Sequence, residues 1–451
     1  MKTSIIILTQ NERDRTRTCI ENIRKYTEPE QYELIIVDNQ STDGTVDWLK
    51  TQDDLKVIYN DRNAGHPQGY NQGLAIAAGD NVLLLRNDVV VTSGWLSNLL
   101  HCLYSNDTIG AVSPTTNICG YYQSIAVHYQ TLEEMQEYAA RVNQPHPEFW
   151  EERLKLVGHC TLIKKEVLDK VGQLDEQFTP GGLEDEDYSL RIRLAGYKLI
   201  LCKDTFVHNS GNTAHQIDNR GKFIAKWGFD PVYSTFIRHE IINLIDKSKD
   251  RPFNVLEVGC ACGGTLLQIK NIYPKAEIAG IELNEEAALS AKLFAEVIAA
   301  DIENTMLPFP VEHFDYIIFA DVLEHLVNPW QALENMRPYL KPDGQILASI
   351  PNVMHFSVIR SLLQGNWRYE DAGILDRTHM RFFTLNEIDF MFKNAGYKLN
   401  VCWQTTLNET ESDKNFIQTL VAFGGDPQLA YRYRAYQYIV RADKTPAMPA
   451  G

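Results

Sequence analysis

What this sequence lacks narrows its reading before any motif is considered. It has no basic excess: 43 Lys and Arg stand against 59 Asp and Glu, a formal net charge of −16. A nucleic-acid binder needs a basic patch, so that partner class is set aside. A small anionic ligand is not, because helix N-termini and a metal ion can hold one locally. No stretch of about 18 consecutive apolar residues occurs, so no membrane span is expected, while peripheral membrane contact stays open. The opening MKTSIIILTQNERDR has only a short apolar run before its charges, too short for a signal peptide. No Cys-x-x-Cys pair is found among the scattered cysteines, which argues against zinc and for a reduced, cytoplasmic setting, with the inner face of the membrane as an option. Cys260 and Cys262 are too close for an ordinary disulfide and read as small loop residues. No low-complexity tract and no internal repeat is present.

At 451 residues the chain is too long for one ordinary core, so two or three domains are expected. Apolar strands alternate with helical patterns in two successive series, which predicts α/β sheets. The first series runs through SIIIL (4–8), ELIIVD (33–38), LKVIYN (55–60) and NVLLLRNDVVV (81–91). The second runs through NVLEVG (254–259), EIAGIEL (277–283), VIAADI (297–302), FDYIIFADV (314–322) and GQILASIPN (344–352), closed by a pair of strands at 397–404 and 415–423. The expected division is a first domain over 1–235, a linker helix over 236–252, a second domain over 253–425 and a tail over 426–451. The tail interleaves basic and aromatic residues, a pattern that suits packing on its own domain or contact with a membrane surface or glycan.

In open α/β sheets, ligands sit at the carboxyl ends of strands. Polar residues follow each strand of the first series: Thr9, Asn11 and Glu12, then Asp38, Ser41 and Asp43, then NAGHPQGYNQG with Asn63, Gly65 and Asn71, then Arg86, Asn87 and Asp88. Each is an ordinary turn residue alone, but four polar strand ends in order are not ordinary. Further on, GGLEDEDYSLR places Glu184, Asp185, Glu186 and Asp187 in a row. Four like charges repel, so the run is either a solvated helix start complementing the helix dipole or a catalytic carboxylate with helpers.

Residues 1 to about 235 resemble family 2 glycosyltransferases of the GT-A fold, especially the rhamnosyltransferase-like branch, through SIIILTQNERD, VDNQSTDGT, NAGHPQGYNQG, LRNDVVV, GGLEDEDYSLRIRLAGYK and Lys226-Trp227-Gly228. The resemblance implies transfer of a sugar, with inversion, from a nucleotide-diphosphate sugar to a glycan, lipid-linked glycan or glycoprotein acceptor. Asp38 and Asp43 would contact base and ribose, with Thr9, Asn11, Glu12, Asn63, Gly65, Asn71 and Asn87 lining the donor site. Asp88, with His208 of FVHNSG, would hold Mn²⁺ or Mg²⁺ against the diphosphate. Asp185 would be the base that deprotonates the acceptor hydroxyl, its pKa raised by neighbouring acids. Glu184 and Asp187 would orient it or bind acceptor hydroxyls, and Glu186 would face solvent. Arg86 departs from the family, standing where the DxD-type metal motif has its first acid; it weakens metal binding or pairs with a nearby acid.

In the second half, VLEVGCACGG is a strand, a tight turn and a helix start. G-x-G-x-x-G is absent; the pattern is E-x-G-x-x-x-G through Glu257, Gly259 and Gly263. This resembles motif I of class I methyltransferases, with Ala261 for the usual middle Gly, and implies a Rossmann-like fold that binds S-adenosylmethionine. Glu282 would accept hydrogen bonds from ribose hydroxyls and Asp301 would contact the adenine amino group. FADVLEHLVNP supplies Asp321, which would line the cofactor site, with Glu324 and His325. Glu324, His325 and His379 of DRTHMRFFT are the candidates for the base; His325 otherwise lines the cofactor pocket or packs. The chain thus reads as a bifunctional enzyme whose second domain would O-methylate a sugar hydroxyl on the same growing glycan, a bacterial surface polysaccharide or a glycoprotein, with the tether raising effective concentration. The rivals are one retired domain, or a non-catalytic scaffold that binds nucleotide sugar or S-adenosylmethionine.

Overall fold

The computed structural model describes residues 1–211 and 218–446. The chain divides into two compact units, Met1–Tyr233 and Ser234–Gly451. Among the described residues no helix is long and apolar enough to cross a membrane.

The first unit is built on β1 (Thr3–Thr9), β2 (Tyr32–Asp38), β3 (Leu55–Tyr59), β4 (Asn81–Arg86), β5 (Val89–Val90), β6 (Ile109–Thr115), β7 (Trp150–Arg153), β8 (Cys160–Lys164), β9 (Lys198–Phe206) and β10 (His208–Asn209). Its large sheet runs β3-β2-β1-β4-β8-β6-β9-β7, and β5 pairs with β10 in a short ladder. The pairs around β1 are parallel. Such strands are covered on both faces, which is why SIIIL is continuously apolar: Ile5 and Ile7 pack into one core cluster, Ile6 and Leu8 into the other. β1 lies between β2 and β4, so the chain leaving β1 and the chain leaving β4 open a crevice at the sheet's carboxyl edge.

The second unit is built on β11 (Phe253–Val258), β12 (Ala276–Glu282), β13 (Glu296–Ala299), β14 (Phe314–Ala320), β15 (Leu340–Pro351), β16 (Tyr397–Thr405) and β17 (Gln437–Lys444), in the order β13-β12-β11-β14-β15-β17-β16. The first five are parallel; β17 runs antiparallel to both of its neighbours.

Three expectations change here. Residues 415–423 are not a strand but part of the helix Glu411–Gly424, started by a capping box between Thr410 and Asp413. The antiparallel strand comes instead from the segment taken as a tail, whose Tyr438 and Val440 are fully buried in the sheet. The segment 236–252 contains only the short helix His239–Ile242, and Ile237, Ile241, Ile242, Leu244 and Ile245 pack with Phe253 and Val255 in the core of the second unit. It is core because five aliphatic side chains occur within nine residues.

Candidate active sites

At the carboxyl edge of the first sheet, Asp38 ends β2 with its carboxylate buried. Oδ2 accepts from the Ser41 N–H at 3.0 Å, while Oδ1 is buried without a partner. A buried acceptor left unpaired is costly, so Oδ1 is an acceptor that a donor from outside the chain would satisfy. The loop after β1 passes through Asn11 and Glu12, both at positive φ, and Asn11 binds the Ser41–Thr42 turn on both sides. Asn87 donates to Glu12 Oε2 at 3.2 Å and Thr16 Oγ1 at 3.1 Å, and Thr16 meets Thr9 Oγ1 at 2.7 Å. Thr9, Asn11, Glu12, Asp38 and Asn87 therefore converge across three strand ends.

Asp43 is exposed at this edge and also has a structural part. Its carboxylate accepts from the backbone of Arg13 and from Thr45, so it ties two helix starts together. Asn71 is buried and bridges to Leu174 and Glu176, away from a donor role. Asn63 caps its own turn at Gly65 and reaches Gln10. Gly65 has φ +77, and a Cβ there would lie 2.7 Å from the Pro180 Cα, so this Gly lets the NAGH turn meet the TPGG turn. Asn39 was missed by sequence reasoning. It is buried and accepts from Asn60 and Ala64, fixing the turn that carries Asn63.

The four acids open the helix Glu184–Leu194, where negative charge suits the dipole. Their fates differ. Asp185 is half-buried and accepts the Gly158 N–H at 2.8 Å. Burial, then the charges of Glu184 and Glu186, push its carboxyl well above the usual range, against the Gly158 hydrogen bond and the Arg86 charge. Glu184 is buried, with Oε1 3.4 Å from His66 Nδ1 and Oε2 unpartnered. Asp187 is fully buried and receives Arg191 at 2.9 Å, Lys226 at 2.5 Å and Trp227 at 2.9 Å. It anchors the Lys226-Trp227 element and has no oxygen free for an acceptor. Glu186 is paired with Lys155 at 3.1 Å rather than facing solvent.

The residues expected to hold a divalent cation do not fit one as they stand. Asp88 is 3% exposed, and both of its oxygens receive Arg86, Nε to Oδ1 at 3.0 Å and Nη2 to Oδ2 at 2.5 Å. A guanidinium thus already neutralises the one acid of the set. His208, brought beside the Asp88 strand end by the β5–β10 ladder, has its Nδ1 at 2.6 Å from the Tyr129 hydroxyl, and burial lowers its pKa. One neutralised carboxylate and one imidazole fall short of the several hard oxygen ligands such an ion takes.

In the second unit the loop after β11 turns through Gly259, Ala261 and Gly263, all at positive φ. A Cβ on Gly259 would lie 2.7 Å from Val322, so the two strand ends pack through that Gly. Glu282, ending β12, accepts the Ala261 N–H at 2.7 Å and the Asn284 N–H at 2.8 Å, which leaves its carboxylate further lone pairs. Beside it Leu283 is 72% exposed, an apolar surface at the ligand edge that the sequence reading passed over. Glu257 is buried beneath the loop, and burial, opposed by Arg238 and Thr265, raises its pKa to about 8. Asp301 lies past the end of β13 and binds Glu303 N and Asn304 Nδ2. Asp321 has φ +55 and is held by Ser349 at 2.8 Å, Arg238 at 2.6 Å and Gln437 of β17. His325 and His379 come together, with ring centroids 4.7 Å apart, beside buried Glu324. Arg238 and Gln437 were not foreseen, because they come from the segments taken as linker and tail.

Residues 4–172 match the family model of glycosyl transferase family 2, and residues 232–401 match a methyltransferase domain model. A protein of Sinorhizobium fredii named as uncharacterized y4gI is 27% identical over 242 residues, 47% of this chain; the chain spans 25% of that protein's length. A ubiquinone biosynthesis O-methyltransferase of Cereibacter sphaeroides is 28% identical over 188 residues, covering 39% of this chain and 74% of that one. Among solved structures, a mannosyltransferase of Pyrobaculum calidifontis in complex with GDP-Man and Mn²⁺ is similar at a TM-score of 0.38 and 17% identity, covering 68% of this chain and 76% of that one.

Proposed function

We propose that this chain, in which a glycosyl transferase family 2 domain of GT-A type precedes a Rossmann-like methyltransferase domain, performs two group transfers on a glycan. The first unit transfers a sugar from a nucleotide-diphosphate sugar, with inversion, to a glycan, lipid-linked glycan or glycoprotein acceptor. The second unit O-methylates a sugar hydroxyl, in the making of a bacterial surface glycan. The setting is cytoplasmic, with the acceptor reached from the inner membrane face where it is lipid-linked.

One observation supports the first activity above all: a half-buried Asp185 with a raised pKa in the field of Arg86, on the unit whose strand end leaves Asp38 Oδ1 unpartnered. Asp38 receives a donor N–H or hydroxyl. Asp185 takes the acceptor proton as the acceptor oxygen attacks the sugar carbon and the bond to diphosphate breaks on the opposite face. Arg86, with 36% of its side chain exposed, faces the charge that develops on the leaving diphosphate.

In the second unit, bound S-adenosylmethionine supplies an activated methyl group. Glu282 and Asp301 hold its ribose and adenine, the Gly259–Gly263 turn admits it closely, and Glu257 and Asp321 hold the pocket wall. His325 and His379 handle the acceptor hydroxyl. Little covalent help is needed beyond alignment of that oxygen behind the methyl group.

The test is a pair of separate assays: release of nucleotide from dTDP-, UDP- and GDP-sugars, and methyl transfer from labelled S-adenosylmethionine. Asp185→Asn should abolish the first and spare the second; Glu282→Ala should do the reverse. A purified chain that binds neither ligand overturns the reading. The Arg86–Asp88 ion pair also suits a second reading, in which the first unit binds nucleotide sugar without turning it over. Donor binding with no turnover, unchanged by Asp185→Asn, would establish that one.

A further inference from the structure

The short turn Leu323–His325 follows β14, and the 370–383 segment folds against it. The Glu324 carbonyl accepts the N–H groups of Met380 at 2.8 Å and Arg381 at 3.0 Å, which fixes His379 beside His325. The Glu324 carboxylate is 1% exposed, and neither of its oxygens has a hydrogen-bond partner. A carboxyl buried this way is kept either as the neutral acid or against a counter-charge, and two imidazoles stand beside this one.

Both imidazoles are held through Nδ1. That of His325 meets Thr378 Oγ1 at 3.1 Å, and that of His379 meets the Ile374 carbonyl at 2.9 Å. Thr378 Oγ1 in turn donates to Asp376 at 2.6 Å, a supporting layer of the kind that orients metal-bound histidines. Each Nε2 is left without a hydrogen-bond partner among the described residues. One ligand atom each from Glu324, His325 and His379 lies within 4.8 Å of the others.

We propose that Glu324, His325 and His379 form a divalent-metal site in the methyltransferase domain. Two imidazoles and one carboxylate suit a borderline first-row ion, Mn²⁺, Fe²⁺, Co²⁺ or Zn²⁺, better than Mg²⁺. Three protein ligands leave coordination positions open, as in a catalytic site rather than a structural one. The substrate class that fills two open positions is an acceptor with adjacent oxygens, such as the vicinal hydroxyls of a sugar; this part rests on the methyltransferase reading. The metal acidifies the bound hydroxyl, whose proton passes to water. The oxygen then forms a bond to the methyl carbon, and the carbon–sulfur bond breaks with its electron pair kept on sulfur.

The test uses the full-length chain freed of metal by chelation and titrated with Mn²⁺ by calorimetry and with Co²⁺ by visible absorption. One site is expected, with Co²⁺ bands reporting histidine ligation. His379→Ala and His325→Ala should weaken it by more than about 100-fold, and Thr378→Ala by roughly 10- to 100-fold. Should an alanine variant fail to fold in the absence of metal, the isosteric Glu324→Gln is read in its place. Asp88→Asn should leave the site intact. No divalent ion bound by the wild type, or binding unchanged in the variants, overturns the proposal. S-adenosylmethionine is titrated into the same metal-free chain. If it binds while no metal does, only the metal site falls; if it does not bind either, the methyltransferase reading falls with it.

Discussion

Arg86 and Asp88 face each other across Asn87 with two hydrogen bonds, at 3.0 Å and 2.5 Å. The guanidinium is a permanent cation in the place where a divalent ion was expected, and Asp88 orients it. Glycosyl transfer should therefore persist in EDTA. Arg86→Ala should lower kcat/KM by roughly 10²- to 10³-fold, the loss seen on removing one preorganised donor to a developing anion. Methyl transfer in the same preparation should be lost in EDTA and restored by Mn²⁺. Donor-turnover and methyl-transfer rates measured side by side in EDTA check both halves of this expectation.

In the proposed transfer Asp185 serves as the base, and it can do so only when ionised. Its pKa is held above the ordinary carboxylate range by burial, Glu184 and Glu186. The acid limb of glycosyl transfer should therefore lie at higher pH than a free carboxylate would give, with activity rising as pH rises through it. Glu186→Gln removes one of the repelling charges, so the limb should move to lower pH. Asp185→Asn should cost about 10²- to 10⁴-fold at pH above the limb, the usual worth of a positioned base, and less below it, where the wild-type carboxyl is protonated. A pH–rate profile of the two variants decides; a limb that stays in place in Glu186→Gln removes Asp185 from the role.

Asp187 is a structural acid, and its substitution should read out as stability. Asp187→Asn keeps an oxygen for Lys226 and Trp227 but turns an amide donor toward Arg191 Nε, leaving donor against donor. Breaking a buried pair so that a charge loses its partner costs about 3–5 kcal/mol. The melting temperature of the first unit should fall, and Trp227 emission should shift toward that of exposed indole before the main transition. The Km for the donor should change little in the folded fraction.

The strand ends were legible because parallel strands buried on both faces leave unbroken apolar runs, and the polar break after each run marks the ligand edge. The positions of Asp38 and Glu282 at strand ends, and of Asn87 just past one, were read that way, while Asp321 came with the resemblance of FADVLEHLVNP. The partners of each acid were not legible. Nothing in the order Glu184-Asp185-Glu186-Asp187 says that the last is sealed by Lys226 and Trp227, since that pairing closes a loop of about forty residues. The late strand was missed for a local reason. NFIQTLVAF has strand-like composition, and its helix is decided by the cap at Thr410 and Asp413 upstream. Once that segment is helical, β16 needs another partner, and QYIVRADK supplies it with Gln437 reaching Asp321.

Glu257 connects the Gly259–Gly263 turn to stability through pH. Its carboxyl is pushed from 4.5 to about 8 by burial, with Glu282 adding to it and Arg238 and Thr265 opposing. Between those two values the folded state holds a proton that the unfolded chain has released. The sign follows from linkage: this contribution is complete below the unfolded pKa and is lost as pH rises through the folded one. Glu257→Gln keeps the neutral form and its hydrogen-bonding shape at every pH. The variant should match the wild type near pH 5 and melt higher near pH 9, by roughly 2–4 °C for each kcal/mol recovered. Melting curves of the metal-free chain at the two pH values, without S-adenosylmethionine, isolate the effect. An equal fall in both proteins would mean that Glu257 is ionised in the fold, with Arg238 as its counter-charge.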